Sequence, residues 1–167
     1  MDQMVAFDAI LFPSDGRPPH VVPLMTSPAS FADPRSPHVG SSTARVPHPE
    51  VYMDYIAEGM GQRAWGYQLV EALDGMNKKF TNPYIIFYPV VSRDGMPFPH
   101  NKALREIQGN KFREDAAWRG NIVVAKYRDS RFSAMMSASM ADFPILKNYM
   151  STHPSPSARL TANVRRR

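Results

Sequence analysis

Apolar residues are densest in two runs near the middle of the chain, and both runs are strand-like. Residues 84–91 are apolar on both faces, and residues 121–127 contain consecutive β-branched side chains. Continuous apolar runs of this length are typical of buried strands. Between them, Pro99-His100-Asn101 resembles the start of a helix, and Gly109 is a suitable end. The pattern predicts a strand, a helix over 100–108 and a second strand.

Apolar residues at helical spacing predict three further helices, over 50–59, 63–79 and 142–151. The 63–79 helix rests on one apolar stripe, formed by Trp65, Leu69, Ala72, Leu73, Met76 and Phe80. Lys78 and Lys79 suit the negative end of its dipole. The last helix has capping candidates at Ser139 and Asp142 and a proline, Pro144, in its first turn.

Three weaker patterns complete the prediction. Residues 4–12 alternate as a strand would, up to a turn at Pro13-Ser14-Asp15-Gly16. Residues 21–25 can form a short strand that Pro23 confines to an edge, and residues 132–136 fit either a strand or a loop. The predicted fold class is α+β, a single small domain with a short mixed or antiparallel sheet covered by three to four helices. The sense of the sheet stays open, because the helix between the two best strands permits a right-handed crossover.

Proline usage divides the chain into regions. More than half of the 16 prolines fall between Pro13 and Pro49, and the stretch from Thr26 to Pro49 contains only single apolar residues. Such a stretch buries too little surface to offset its ordering entropy. We expect a flexible proline-rich arm over residues 1–49, with the 4–12 strand as an option within it. A globular domain over 50–152 and a disordered basic tail over 153–167 follow.

The sequence lacks the residues and motifs that several classes of function require. The chain has no cysteine, so thiolate chemistry and cysteine-based zinc sites are excluded. All five histidines adjoin prolines, and none has metal-ligand spacing, so the prediction includes neither a metal nor a cofactor. No phosphate-binding loop or nucleophile elbow occurs, and no catalytic residue can be named. No apolar run is long enough to span a bilayer, and the first residues lack signal-peptide features. The expectation is an intracellular protein, cytoplasmic or nuclear, without a membrane partner.

Positive charge is concentrated in the second half of the chain. Residues 1–77 carry four basic and nine acidic groups, whereas residues 78–167 carry sixteen basic and six acidic groups. Between 111 and 132 the cations alternate with aromatic residues, a combination that RNA and single-stranded DNA binding domains use. The candidate binding residues are His100, Lys111, Arg113, Trp118, Arg119, Lys126, Tyr127, Arg128, Arg131 and Phe132.

Three functions fit this pattern. We favour a small non-enzymatic protein-binding or adaptor domain that acts through its surface and its proline-rich arm. The alternative is nucleic-acid binding through 111–132, which requires Arg113, Arg119, Arg128 and Arg131 to share one exposed face with an aromatic ring. Enzymatic activity is not favoured, and it would require His100 and a carboxylate to converge in a deep pocket.

Overall fold

A computed structural model describes residues 5–26, 51–52, 65–89, 98–130 and 135–155. Within these ranges the chain forms one antiparallel sheet and two α-helices. The strands are β1 (Val5–Phe12), β2 (His20–Thr26), β3 (Val51–Tyr52), β4 (Trp65–Val70), β5 (Tyr84–Pro89), β6 (Ile122–Tyr127) and β7 (Met135–Met136). The helices are α1 (Lys102–Gln108) and α2 (Phe143–Thr152). The strand order is β3-β2-β1-β6-β5-β4, and β7 also pairs with β6.

The two central strands are the apolar runs of the sequence. Every residue of β5 is buried, and in β6 only Lys126 is partly exposed. The strands pair antiparallel from Tyr84 opposite Lys126 to Phe87 opposite Val123. This pairing places both apolar faces of each strand inside the protein, as their lack of alternation predicts.

The first hairpin lies beside β6 rather than apart from the domain. β1 pairs with β2 from Val5 to Leu11 and with β6 from Ile10 to Phe12. Pro23 lies opposite Asp8, whereas β3 pairs only with Met25 and Thr26 of β2. The backbone nitrogen of Pro23 therefore needs no partner on its outer side, which is how a strand with a second neighbour accommodates a proline.

On the N-terminal side of Ile10, β1 no longer pairs with β6, and β7 pairs with β6 there instead. Met135 lies opposite Tyr127, and Met136 lies opposite Lys126. The following residues then bond to β1, because Ala138 N donates to Asp8 O at 2.9 Å and Asp8 N donates to Ser137 Oγ at 3.0 Å. The predicted 132–136 strand is thus present at its last two residues, and residues 131–134 lie outside the described ranges.

Both helices cover one face of the sheet. Leu104 of α1 and Leu146 and Met150 of α2 are fully or almost fully buried against the sheet residues of this face, which are Ile10, Phe12, Val70, Tyr84, Ile86, Tyr88, Ile122 and Val124. The Phe143 ring stacks on Phe12 with centroids 6.1 Å apart. The opposite face carries a second buried cluster that includes Phe7, Leu24, Phe87 and Tyr127, and neither helix contributes to it.

The side chain of Asn101 joins the start of α1 to the sheet. Its Nδ2 donates to Phe12 O at 2.7 Å and to Gly120 O at 2.8 Å, and its Oδ1 accepts from Leu104 N at 3.0 Å. The residue is 1% exposed. One buried amide therefore caps a helix and also satisfies two strand-end carbonyls that water cannot reach.

The α+β class is confirmed, and the 84–91, 121–127 and 4–12 strands are present with shifts of one or two residues at their ends. The helices at 100–108 and 142–151 are also present. The number of helices was wrong: the described residues contain two α-helices rather than three or four. The predicted 63–79 helix is the strand β4 followed by turns. Of the predicted 50–59 helix only Val51–Tyr52 is described, and these residues form β3.

The failure at 63–79 has a local cause. Gly66 lies under the ring of Tyr88, where a Cβ atom would approach the ring atoms to 2.9 Å. Gly75 has a φ of +84°, a left-handed conformation that ends any regular element. The apolar spacing of 65–80 suits a helix, but pairing of 65–70 with β5 buries Val70 and satisfies the backbone of an otherwise unpaired β5 edge, whereas Met76 is left exposed. Most of the predicted arm, 27–50, and of the tail, 156–167, lies outside the described residues. In the parts that are described, no helix is long and apolar enough to cross a membrane.

We predict that Asn101→Ala lowers the free energy of unfolding by about 3 kcal/mol, because two buried carbonyls and one helix N–H lose their partner together. Asn101→Asp keeps the acceptor for Leu104 N but loses both donors, so it should be nearly as destabilised. Urea unfolding followed by circular dichroism measures both changes.

The matched control for this prediction is Asn110→Ala, at an exposed asparagine after α1. It should change the free energy of unfolding by less than about 0.5 kcal/mol. An Asn101→Ala protein as stable as this control would show that the amide does not hold the helix to the sheet.

Candidate functional site

The segment before α1 and the segment before β6 lie side by side at one end of the sheet. His100 and Arg119 form an antiparallel bridge. Asn101 N donates to Trp118 O, and Gly120 N donates to Pro99 O, both at 2.8 Å. This pairing brings His100 and Arg119 together although eighteen positions separate them in the sequence.

Glu114 lies between these two side chains. Its Oε1 is 3.0 Å from His100 Nε2 and 3.5 Å from Arg119 Nη2. Arg119 is also held from the other side, since its Nη1 donates to Phe98 O at 3.0 Å. The Glu114 carboxylate that faces His100 and Arg119 is 71% exposed, whereas the His100 side chain is 21% exposed. His100 and a carboxylate do converge, as an enzyme would require, but they meet at the surface.

Phe112 brings a further cation to the same place. The Arg105 guanidinium lies 4.7 Å from the centre of the Phe112 ring, within the range of a cation–π contact. The His100 ring meets Phe112 edge-on with centroids 5.6 Å apart. Phe112 itself is half-buried. We call His100, Arg105, Lys111, Phe112, Arg113, Glu114 and Arg119 the Phe112 surface.

The exposed cations of this surface are only partly neutralised by their own chain. Arg113 pairs with Asp115 at 3.2 Å, and both side chains are more than 70% exposed. Arg105 and Lys111 are exposed as well. Exposed pairs of this kind contribute little to stability, so these charges remain open to an exchange of partner.

Two of the predicted aromatic residues are core residues. Trp118 is 2% exposed, packs edge-on against Tyr88 and donates from Nε1 to His153 O at 3.1 Å. Tyr127 is fully buried within the opposite face of the sheet, and burial raises the pKa of its hydroxyl far above the usual value. Neither ring offers an open face to a nucleic-acid base.

The remaining predicted residues do not share one surface. Lys126 points into a buried network described below, and Arg128 is exposed beyond the opposite end of β6 from Arg119. The six residues of β6 separate those two ends by about 20 Å. Arg131 and Phe132 lie outside the described residues. The structure therefore brings together His100 and Arg119 of the predicted set, and Lys111 and Arg113 flank Phe112 in the sequence.

Sequence reasoning missed a polar network centred on Asp142. Its Oδ1 accepts from Tyr84 Oη at 2.7 Å and from Lys126 Nζ at 2.9 Å, and its Oδ2 accepts from Ser139 N at 2.9 Å. Asp142 is 7% exposed. Its role as a capping residue was recognisable, since Ser139 and Asp142 form a capping box. A lysine within an apolar strand was the available signal for the rest, because a buried lysine requires an acid.

The pKa of the Asp142 carboxyl reflects two opposing effects. Burial alone would raise this pKa, but the hydrogen bonds from Tyr84, Ser139 N and Lys126 together favour the carboxylate and bring it below the usual value. The pKa of the Tyr84 hydroxyl is raised by its burial and by the neighbouring Asp142. A tyrosine held protonated in this way acts as a donor and not as a base. The network therefore docks the start of α2 onto β5 and β6.

His153 forms a third polar group at the end of α2. Its ring stacks on Tyr149 with centroids 3.8 Å apart, and its Nδ1 lies 2.8 Å from Tyr149 O. The Nε2 atom is 3.5 Å from Asp74 Oδ2, and the Asp74 side chain is 85% exposed. Gln68 also donates to the Tyr149 hydroxyl. These contacts hold the C-terminal end of α2 against β4 and the turn that follows it. Among the described residues there is no group of three or more potential metal ligands.

The chain matches no protein-family model, no curated protein and no solved structure.

We predict that Asp142→Asn costs about 3 kcal/mol at pH 7, because Lys126 then lacks its buried counter-charge. The folded-state pKa of Asp142 is lowered, so its contribution is present above the ordinary aspartate pKa of about 4 and is lost as the pH falls through the lowered value. The difference in unfolding free energy between the two proteins should therefore shrink below about pH 4. Urea titrations from pH 7 to pH 2.5 measure it.

Asp115→Asn is the control for this prediction, since it neutralises an exposed aspartate in a surface pair. It should change the unfolding free energy by less than about 0.5 kcal/mol at pH 7. A constant difference between wild type and Asp142→Asn over the whole pH range would contradict the lowered pKa.

Proposed function

We propose that this protein is a small non-enzymatic binding domain that holds an acidic segment of a partner protein on the Phe112 surface. The observation that carries the proposal is that Arg119 faces the exposed Glu114 carboxylate, while Arg105 lies over the neighbouring ring of Phe112. Arginine and aromatic residues are the side chains that most often dominate the energy of protein interfaces.

The cations of the surface are oriented before a partner arrives. Arg119 is fixed by Phe98 O and Glu114, and Arg105 is fixed by the ring of Phe112. A guanidinium has five N–H donors, so each retains donors for a second carboxylate. Because the side chains are already ordered, a partner loses less conformational entropy when it binds them.

Glu114 gives the surface a means of discrimination. Its exposed carboxylate occupies the place that a partner's acid would take, and Asp115 lies next to it. A peptide with separated acids can bind beside these groups. A nucleic acid, whose phosphates follow one another without interruption, meets repulsion from both carboxylates. With Trp118 and Tyr127 in the core, the alternative of RNA or single-stranded DNA binding retains attraction to phosphate but few stacking rings.

The regions outside the described residues extend the same proposal. The part of the predicted proline-rich arm at 27–49 contains Pro34-Arg35-Ser36-Pro37, a spacing that proline-recognising domains bind, and the tail ends in Arg165-Arg166-Arg167. We propose that the arm adds a second contact for protein partners and that the tail adds affinity for acidic ones. An intracellular location, cytoplasmic or nuclear, goes with this proposal.

We predict that a fluorescein-labelled peptide in which glutamates flank a central leucine binds the full-length protein, as measured by fluorescence anisotropy. Arg119→Gln should weaken binding about fivefold, which corresponds to the loss of one charge-assisted contact of about 1 kcal/mol. Glu114→Gln should strengthen binding, because it removes the internal competitor for the same cations. Affinity should fall as the salt concentration rises.

Arg128→Gln is the matched control, since it removes the same charge from an exposed arginine at the far end of β6. It should leave the affinity nearly unchanged. A second control replaces Arg165, Arg166 and Arg167 by glutamine in the full chain. Equal weakening by Arg119→Gln and Arg128→Gln, or loss of binding with the tail, would contradict the proposal. Tighter binding of a labelled oligouridine of equal charge would favour the nucleic-acid alternative.

A further inference from the structure

Among the described strands, β4 lies at one edge of the sheet, and its sequence lacks the usual features that protect an edge against pairing. It runs for six residues, Trp65-Gly66-Tyr67-Gln68-Leu69-Val70, without a proline or a formal charge. The other edge of the sheet, β3, is only two residues long, and its neighbour β2 contains Pro23. Sheet proteins commonly protect an edge by shortness, proline or an inward-pointing charge. One edge of this sheet has such features, whereas β4 has none.

The register of the sheet fixes which backbone groups of β4 point outward. Tyr127 N donates to Pro83 O at 2.8 Å, so the backbone groups at 83, 85 and 87 face β6. Residues 84, 86 and 88 then face β4, where they lie opposite 70, 68 and 66. The N–H and C=O groups of residues 65, 67 and 69 therefore point away from the sheet, and no described strand pairs with them.

The described side chains on and beside β4 lie on the two faces of the sheet. Tyr88 covers Gly66, which supports a glycine that would otherwise weaken an edge strand. The amide of Gln68 is held by the Tyr149 hydroxyl on the helix face. Tyr67 and Leu69 pack on the opposite face, partly exposed at the margin of its buried cluster.

We infer that two copies of this chain associate through β4, antiparallel to each other, about a two-fold axis at Tyr67. In this register Tyr67 lies opposite Tyr67 of the second copy, and position 65 lies opposite 69. All three outward residues of each strand are then paired, which gives the most backbone hydrogen bonds that the strand can make with itself.

The sequence of β4 suits a second copy as the occupant of its edge. Across the axis Gly66 lies opposite Gln68, so no like charges meet and no two bulky groups compete on the helix face. On the other face the two Tyr67 side chains become neighbours, and aromatic pairs across strands are stabilising. The two partly exposed margins then join into one continuous apolar face.

The absence of cysteine makes this register directly testable. Tyr67→Cys places two thiols in a hydrogen-bonded pair, whose Cα atoms lie about 5.5 Å apart. Leu69→Cys is the matched control on the same face. Its two thiols lie four residues out of register, about 13 Å apart along the strands.

The experiment measures sedimentation equilibrium of the full-length wild-type protein and treatment of both cysteine variants with a short bis-maleimide at low protein concentration. We expect a wild-type dimer, cross-linked dimer from Tyr67→Cys and several-fold less from Leu69→Cys. Circular dichroism melting confirms that both variants are folded. A wild-type protein that stays monomeric up to its solubility limit would overturn the inference, and so would cross-linking that is equal in the two variants or absent from both.

Discussion

The buried amide of Asn101 ties the end of β1, the start of α1 and the turn before β6 into one joint. These three segments are distant in the sequence, and each brings a backbone group that water cannot reach. Gly120 is part of the same joint. Its φ is +74°, and a Cβ atom at this position would lie 2.7 Å from the side chain of Pro89, so any other residue would have to displace Pro89. The joint also sets the positions of His100 and Arg119, the residues on either side of it. The hydrogen bonds of Asn101 therefore determine how His100 and Arg119 are placed on the Phe112 surface.

Sequence patterns were most informative where burial alone decides the structure. The central strands and the helix between them could be predicted because apolar runs of six to eight residues have few alternatives. The prediction of a helix over 63–79 was wrong because the apolar spacing of this region fits both a helix and a strand. The choice between the two depends on pairing with β5, which is distant in the sequence. The position of β2 between β1 and β3 was likewise not predictable, because how far β3 extends along β2 is not encoded by any local pattern.

The binding residues could be predicted only as residue types. Alternating cations and aromatic rings over 111–132 indicated an interaction surface, but which rings face solvent depends on the sheet register. Trp118 and Tyr127 face the interior, and among the described rings of this stretch Phe112 is the partly exposed one. Arg105 was outside the predicted set because nothing in the sequence shows that α1 brings it over Phe112. The Asp142 network was missed for the same reason, since its members come from β5, β6 and the turn before α2.

The pairing of β1 with β6 has a consequence for biosynthesis. Ile10 lies opposite Val124, so more than a hundred residues are made after β1 before its central partner exists. At typical elongation rates of about 5–20 residues per second, β1 and its hairpin wait on the order of ten seconds with one ladder of backbone groups and an apolar face uncovered. Non-local pairing of this kind also slows folding, because the entropy of closing a long loop is lost before the contact between the strands can stabilise the chain. During that interval the nascent chain presents the kind of surface that molecular chaperones bind.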